Sequence, residues 1–196
     1  MKTKKNLLDY VVAIIPARGG SKRLPKKNIY EFRGKPMIYW SILAANKSKI
    51  INDVFVTSDN KDILNIAHLY KSKTIKRPKN ISDDKTFKME AIKHAVLEVE
   101  KEKKPSLVIS LQANSPEVSS LHLDKAIKHL IKFDLHEVIS VDKNLVQNGA
   151  IRAMRYHTVF QEALSVHLGA IRTNITDIHT LSDIKSIEKK KEGING

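Results

Sequence analysis

The sequence predicts an α/β fold, a three-layer sandwich in which helices cover both faces of a mostly parallel sheet. Three observations predict it. Short Val- and Ile-rich runs alternate with amphipathic helical stretches along most of the chain. Several of those runs, such as "VVAIIP" and "SLVISLQ", carry consecutive apolar residues instead of strict alternation, as strands buried on both faces do. The 196 residues, 41% of them hydrophobic, suffice for one core, and no repeat, linker or low-complexity tract divides them.

The elements follow in order. "VVAIIP" is strand one, because it is too short for a helix and runs straight into Gly19 and Gly20. The preceding "MKTKKNLLDY" has a signal-peptide-like start, but Asp9 and Tyr10 interrupt the apolar stretch, and Arg18 with the glycine pair stands where a cleavage site would be. "PMIYWSILAANKSK" has helical apolar spacing and begins on Pro36; "DVFVTSD" is a strand; "NKDILNIAHLYKSK" is an amphipathic helix. Asp59 reads as that helix's N-cap, with Asp62 in the first turn. "TIKRP" is a brief strand, "FKMEAIKHAVLEVEKEKK" a long helix, "SLVISLQ" a strand, "HLDKAIKHLIKF" a helix and "HEVISV" a strand. Beyond Asn148 the pattern loosens: "NGAIRAMRY" reads as an edge strand and "TLSDIKSIEKKK" as a last helix with a Thr180–Asp183 capping box.

Composition excludes several classes of function. There is no cysteine, so disulfides, thiolate metal sites and a Cys nucleophile are out, and a reducing, cytoplasmic setting suits the chain. No apolar stretch reaches the length of a membrane span. The formal net charge of +14 invites nucleic acid as a partner, yet the lysines are spread over every helix and no aromatic-rich strand or recognition helix accompanies them. An acidic small substrate is the better match. The histidines at 68, 94, 122, 129, 136, 157 and 167 show no metal-ligand spacing and read as helix-surface or strand-end residues.

The charge concentrates in one place. Directly after strand one, Arg18, Lys22, Arg23, Lys26 and Lys27 crowd the loop "ARGGSKRLPKKN". Such cations repel one another unless solvated or neutralised, while Gly19 and Gly20 let backbone N–H groups turn toward an anion. Ligands of open α/β sheets bind beyond the carboxyl ends of the strands, so a polyphosphate is the expected occupant. The loop is neither GxxxxGK[ST] nor GxGxxG.

"AIIPARGGSKRLPKKNI" resembles the signature of the acylneuraminate cytidylyltransferase family, and other segments follow in the family's order: "GKPMIYWSI", "VFVTSDNKDI", "KRP", "SLQANSPE", "NGA" and "TDIHTLSD", across residues 11 to 190. The resemblance implies a nucleotide-diphospho-sugar transferase (Rossmann-like) fold, CTP and an acidic nine-carbon sugar as substrates, Mg²⁺ or Mn²⁺ as cofactor and a homodimer. It implies that Arg18 and Lys22, with the backbone of Gly19 and Gly20, hold the triphosphate; that Ser21, Lys27, Asn28 and Arg77 contact the nucleotide; that Gln112 and Asn114 receive the sugar; and that Asp177 and His179 occupy the metal position.

The departures are specific. His179 stands where the family has a second Asp, and Val118 stands where it has an arginine. Phe87 and Lys88 replace small hydroxylated residues. The whole of 1–196 reads as one cytidylyltransferase-like domain with a shortened dimerisation segment at about 150–175. Three functions fit: a CMP-nonulosonate synthetase, a nucleotidyltransferase for another sugar such as Kdo, or a catalytically weakened nucleotide-binding paralogue.

Overall fold

The computed structural model describes residues 8–192. The opening residues 1–7 and closing residues 193–196, the ends of the single-domain expectation, lie outside the described residues. A seven-stranded sheet runs in the order β5-β4-β1-β6-β8-β7-β9. Its strands are β1 (Val11–Pro16), β4 (Asp53–Ser58), β5 (Lys73–Lys76), β6 (Leu107–Leu111), β7 (Glu137–Val141), β8 (Gln147–Arg155) and β9 (Leu168–Arg172). A two-residue hairpin, β2 (Glu31–Phe32) with β3 (Lys35–Pro36), stands apart. The helices are α1 (Met37–Asn46), α2 (Lys61–Leu69), α3 (Lys88–Glu100), α4 (Ser120–Lys132) and α5 (Leu181–Glu192).

Alternation along β1 explains the three layers. Val11, Ala13 and Ile15 point to one face, where α1, α2 and α4 bring Ile38, Ile42, Ile63, Leu123 and Ile127. Val12 and Ile14 point to the other, against Ile92, Ala95, Val96 and Val99 of α3. All five of these β1 side chains are fully buried, which an amphipathic strand could not achieve. Each isoleucine so buried contributes roughly 1.5–3 kcal/mol relative to exposure. A third, smaller cluster seats α5 on the hairpin, with Ile184 and Ile187 packed against Leu24, Phe32 and Met37.

One expectation is corrected at the far side of the sheet. "NGAIRAMRY" forms β8, which lies inside the sheet and runs antiparallel to both β6 and β7. The edge is β9, parallel to β7 and absent from the sequence reading. Charged residues disguised β8 as an edge: Arg152 Nε donates to Glu137 Oε2 at 2.6 Å, with Glu137 fully buried, and Arg155 Nη2 donates to Asp134 at 2.5 Å. Ion pairing thus lets an arginine-bearing strand sit between neighbours. The stretch 150–175 completes the sheet through β8, a 3-10 turn at Tyr156–Phe160 and β9. Among the described residues, no helix is long and apolar enough to cross a membrane.

Candidate nucleotide-binding and acceptor site

Strand order reverses direction around β1: β4 lies on one side and β6 on the other, and a crevice opens at their carboxyl ends. The loops leaving β1, β4, β5 and β6 all converge there. The parallel ladders extend just past the strands, with Ala17 N donating to Thr57 O at 3.0 Å and Arg77 N to Ser58 O at 2.8 Å. These bonds fix where Arg18, Asp59 and Arg77 begin.

The loop after β1 is braced by its own residues. Asn28, buried, donates from Nδ2 to Arg18 O at 2.9 Å, closing the loop across ten positions. Lys26 adopts a left-handed conformation (φ 53°) to enter a 3-10 turn at Lys27–Ile29. Gly19 N donates to Asp59 Oδ1 at 3.0 Å. A Cβ on Gly19 would fall 2.8 Å from Asn60 Cβ, so glycine is required by the close approach, whereas Gly20 has open space.

Asp59 therefore does not cap α2. Asn60 does, its Oδ1 accepting from Asp62 N at 2.8 Å and Ile63 N at 3.1 Å. Only one of two adjacent residues can hold the N-cap backbone, which frees the Asp59 carboxylate for the loop and for Arg77. Arg77 Nη2 lies 3.5 Å from Asp59 Oδ1. Its guanidinium is buried, and neither Nε nor Nη2 makes a hydrogen bond. Burial, only partly offset by Asp59, lowers its pKa. Arg77 thus enters the cleft wall as a buried cation whose countercharge is Asp59.

The resulting cleft has a volume of about 490 Å³. Of the residues expected at the site, Arg18, Ser21, Lys22, Lys27, Asn28, Arg77, Asn114 and His179 line it. Gly20 lines a smaller pocket beside it, together with Arg18, Ser21 and Lys22. Lys22 pairs with Asp84 across the rim, both exposed. Lys27 is partly buried; desolvation lowers its pKa, with Arg23 and Arg18 adding to the effect and Asp177 opposing it. Lys88 donates from Nζ to Gly149 O at 3.3 Å, and desolvation of its ammonium lowers its pKa, against the pull of Asp177.

Gln112, Asn114 and Asp177 meet behind this wall. Asn114, buried, donates from Nδ2 to Asp177 Oδ1 and to Ile178 O, while its own carbonyl accepts from Ile178 N at 2.9 Å. The side chain of Gln112 lies beside Asp177 and helps hold its carboxylate ionised, and its Nε2 rests against Gly149. Gly149 has φ +69°, and a Cβ there would fall 2.6 Å from that nitrogen. Both facts explain the glycine of "NGA". Its Asn148 ties the same corner together, accepting from Ser140 Oγ at 2.5 Å and donating to Thr173 Oγ1 at 2.8 Å.

Asp177 and His179 are brought together, and their bonds define what they can hold. His179 Nε2 lies 2.9 Å from Asp177 Oδ2, and Arg23 Nη2 lies 3.0 Å from His179 Nδ1. A guanidinium only donates, so Nδ1 accepts and Nε2 carries the proton that faces Asp177. Both ring nitrogens of His179 are thus engaged. Burial raises the Asp177 pKa, against the pull of His179, Lys27 and Lys88. Among the described residues, no group of three or more His, Asp or Glu side chains could hold a metal on its own. The donor set fits a phosphate-borne Mg²⁺ that takes a single protein carboxylate, which is within that ion's habits, and does not fit a cage built from protein alone. The Thr180–Asp183 capping box is present: Asp183 Oδ2 accepts from Thr180 N at 2.8 Å and from His179 N at 2.8 Å, steadying the His179 backbone.

The family model described as cytidylyltransferase matches residues 12–165. A pseudaminic acid cytidylyltransferase of Campylobacter jejuni is 44% identical over 86 residues, covering 43% of this chain and 37% of that protein. N-acylneuraminate cytidylyltransferase A of Danio rerio is 32% identical over 138 residues, covering 70% of this chain and 31% of that protein. The chain thus spans about a third of the length of these relatives. A solved CMP:2-keto-3-deoxy-manno-octonic acid synthetase complexed with CTP shares the fold with a TM-score of 0.76 at 16% identity, covering 94% of this chain and 99% of that one. With the loop, the sheet order and the matched span in agreement, the chain belongs to the cytidylyltransferase family.

Proposed function

We propose that the chain transfers CMP from CTP to the anomeric hydroxyl of a sialic-acid-like nonulosonic acid, releasing diphosphate. The observation that carries this reading is the cleft itself, a ligand-sized space lined by five cations, Arg18, Lys22, Arg23, Lys27 and Arg77. The relatives matched to this chain are named for pseudaminic and N-acylneuraminic acid, which supports an acidic nine-carbon acceptor.

In this reading Arg18 and Lys22, with the amides of Gly19 and Gly20, hold the β- and γ-phosphates, and Ser21, Lys27 and Asn28 flank the nucleotide. Arg77 offers donors to the acceptor edge of cytosine. Gln112 and Asn114 orient the sugar. Its anomeric oxygen attacks the α-phosphorus, the bond from that phosphorus to the bridging β-phosphate oxygen breaks, and the hydroxyl proton passes to water as the new ester forms. Phosphoryl-type transfer is governed by positioning and charge, and the loop cations neutralise the departing diphosphate. Mg²⁺ or Mn²⁺ bound to the triphosphate would meet the protein at Asp177 and add positive charge there. A homodimer rests on the family resemblance alone. A cytoplasmic setting is supported by the lack of cysteine.

A second reading, a nucleotide-binding paralogue with weakened catalysis, is favoured by Asp177, whose two oxygens are already bonded by Asn114 and His179. One assay separates the two: diphosphate release from CTP, with Mg²⁺ or Mn²⁺, against sialic, legionaminic, pseudaminic and Kdo acids. Release with a nine-carbon acid supports transfer. CTP binding without release for any acid supports the paralogue.

A further inference from the structure

The cleft lining is chemically mixed. Cations of the loop after β1 and the apolar Pro16, Ile81, Phe87 and Ala91 share it with the polar segment Asp83, Asp84, Thr86 and Lys88. Phe87 is 82% exposed and, among the described residues, is the one large exposed hydrophobic side chain that lines this cleft. Isolated exposed apolar residues are ordinary on open surfaces. A phenyl ring held on a ligand-sized concave wall is different, because it keeps apolar area in water where a flat ligand can cover it.

Local structure orders the backbone that carries the ring rather than leaving it on a slack loop. Asp83 Oδ1 accepts from Lys85 N at 3.1 Å, Thr86 N at 2.7 Å and Thr86 Oγ1 at 2.6 Å, which rigidifies the approach. Phe87 then occupies the N-cap position of α3 without a capping side chain, and its carbonyl accepts from Glu90 N at 3.0 Å. Phenylalanine is a poor choice there, since Ser, Thr, Asp or Asn would satisfy an orphan N–H. The position thus forgoes helix stability and keeps an aromatic surface in the cleft.

A nucleoside triphosphate matches such a lining, with one polyanionic end and one flat aromatic end. We propose that Phe87 is the platform on which the nucleobase of the bound nucleotide stacks, with the triphosphate directed toward Arg18, Lys22 and Lys27 and the base edge within reach of Arg77. This rests on the nucleotide reading above and adds to it an aromatic surface that binds the base and is indifferent to a bare polyphosphate.

The test is titration calorimetry with two probes, CTP and inorganic triphosphate, on the wild-type chain, Phe87→Ala and Phe87→Trp. Base–aromatic stacking predicts that Phe87→Ala loses about tenfold in CTP affinity and nothing for triphosphate, while Phe87→Trp retains CTP and shows indole fluorescence quenched by CTP and not by triphosphate. Phe87→Ala binding CTP as the wild type does would overturn the platform and leave the nucleotide reading standing. Equal losses for both probes would also overturn it, by showing a general disturbance of the loop. If the wild type binds neither probe, the nucleotide reading itself fails and takes the platform with it.

Discussion

A single oxygen, Asp59 Oδ1, accepts the Gly19 N–H at 3.0 Å and lies 3.5 Å from Arg77 Nη2, joining the loop after β1 to the buried guanidinium after β5. Asp59→Ala removes the countercharge of a buried cation and the anchor of a loop at once. Asp59 keeps a quarter of its surface exposed, so the cost falls below that of a fully buried pair, at about 2 kcal/mol of stability. Asp59→Asn, which keeps an acceptor for Gly19, should lose less. Urea unfolding of the two variants checks the order; equal losses would mean that the Gly19 bond contributes nothing.

Gly19 and Gly20 are neighbours with opposite tolerances. Gly19→Ala forces a Cβ within 2.8 Å of Asn60 Cβ, an atom fixed by the start of α2, and should cost about 1–3 kcal/mol together with nucleotide affinity. Gly20→Ala meets nothing within 4 Å and should unfold as the wild type does. Thermal melts with and without CTP measure both effects.

These relationships also mark what the sequence made legible. The strand–helix alternation, the buried strands and the cationic loop were readable because each is a local pattern: periodicity, apolar runs, glycine next to charge. Asp59 was misplaced because Asp and Asn are both good caps, and only the turn geometry decides that Asn60 accepts from Asp62 N and Ile63 N. β8 was misplaced because its arginines look solvent-facing until their partners, Glu137 and Asp134, are seen in space. β9, with Gly169 and Arg172 in its five residues, carries too little alternation to stand out, and its pairing with β7 is long-range. Likewise the rings of His136, His157 and His167 meet at centroid separations of 5.2 and 4.7 Å, which sequence spacing does not foretell.

For the acceptor, Gln112→Ala should raise the Michaelis constant for the sugar acid while leaving that for CTP nearly unchanged, the signature of a lost ground-state contact to one substrate. The glutamine also lies beside Asp177, so a control is needed. Gly149→Ala, which crowds Gln112 from behind, should shift the same constant in the same direction. Steady-state kinetics with both substrates varied settles this, and parallel increases for CTP and acid would instead indicate a general loss of structure.

His179→Asp tests the proposed metal position. The histidine is tied to Arg23 and Asp177, leaving one carboxylate for an ion. A second carboxylate beside Asp177 should raise Mg²⁺-dependent CMP transfer by about tenfold, roughly 1.4 kcal/mol in barrier. Two adjacent carboxylates also repel when empty, so the variant's melting temperature should rise with Mg²⁺ more than the wild type's does. A variant that folds, binds CTP and responds to Mg²⁺ in neither assay would favour the paralogue reading.

The central claim is that the loop at residues 18–28 grips a nucleoside triphosphate. Calorimetric titration of CTP into the wild-type chain and into Arg18→Ala tests it most directly. Saturable binding, weakened in the variant by about 1.5–3 kcal/mol, is the result expected when a hydrogen bond to a charged group is lost; unchanged affinity in Arg18→Ala, or no CTP binding by the wild type, would contradict it.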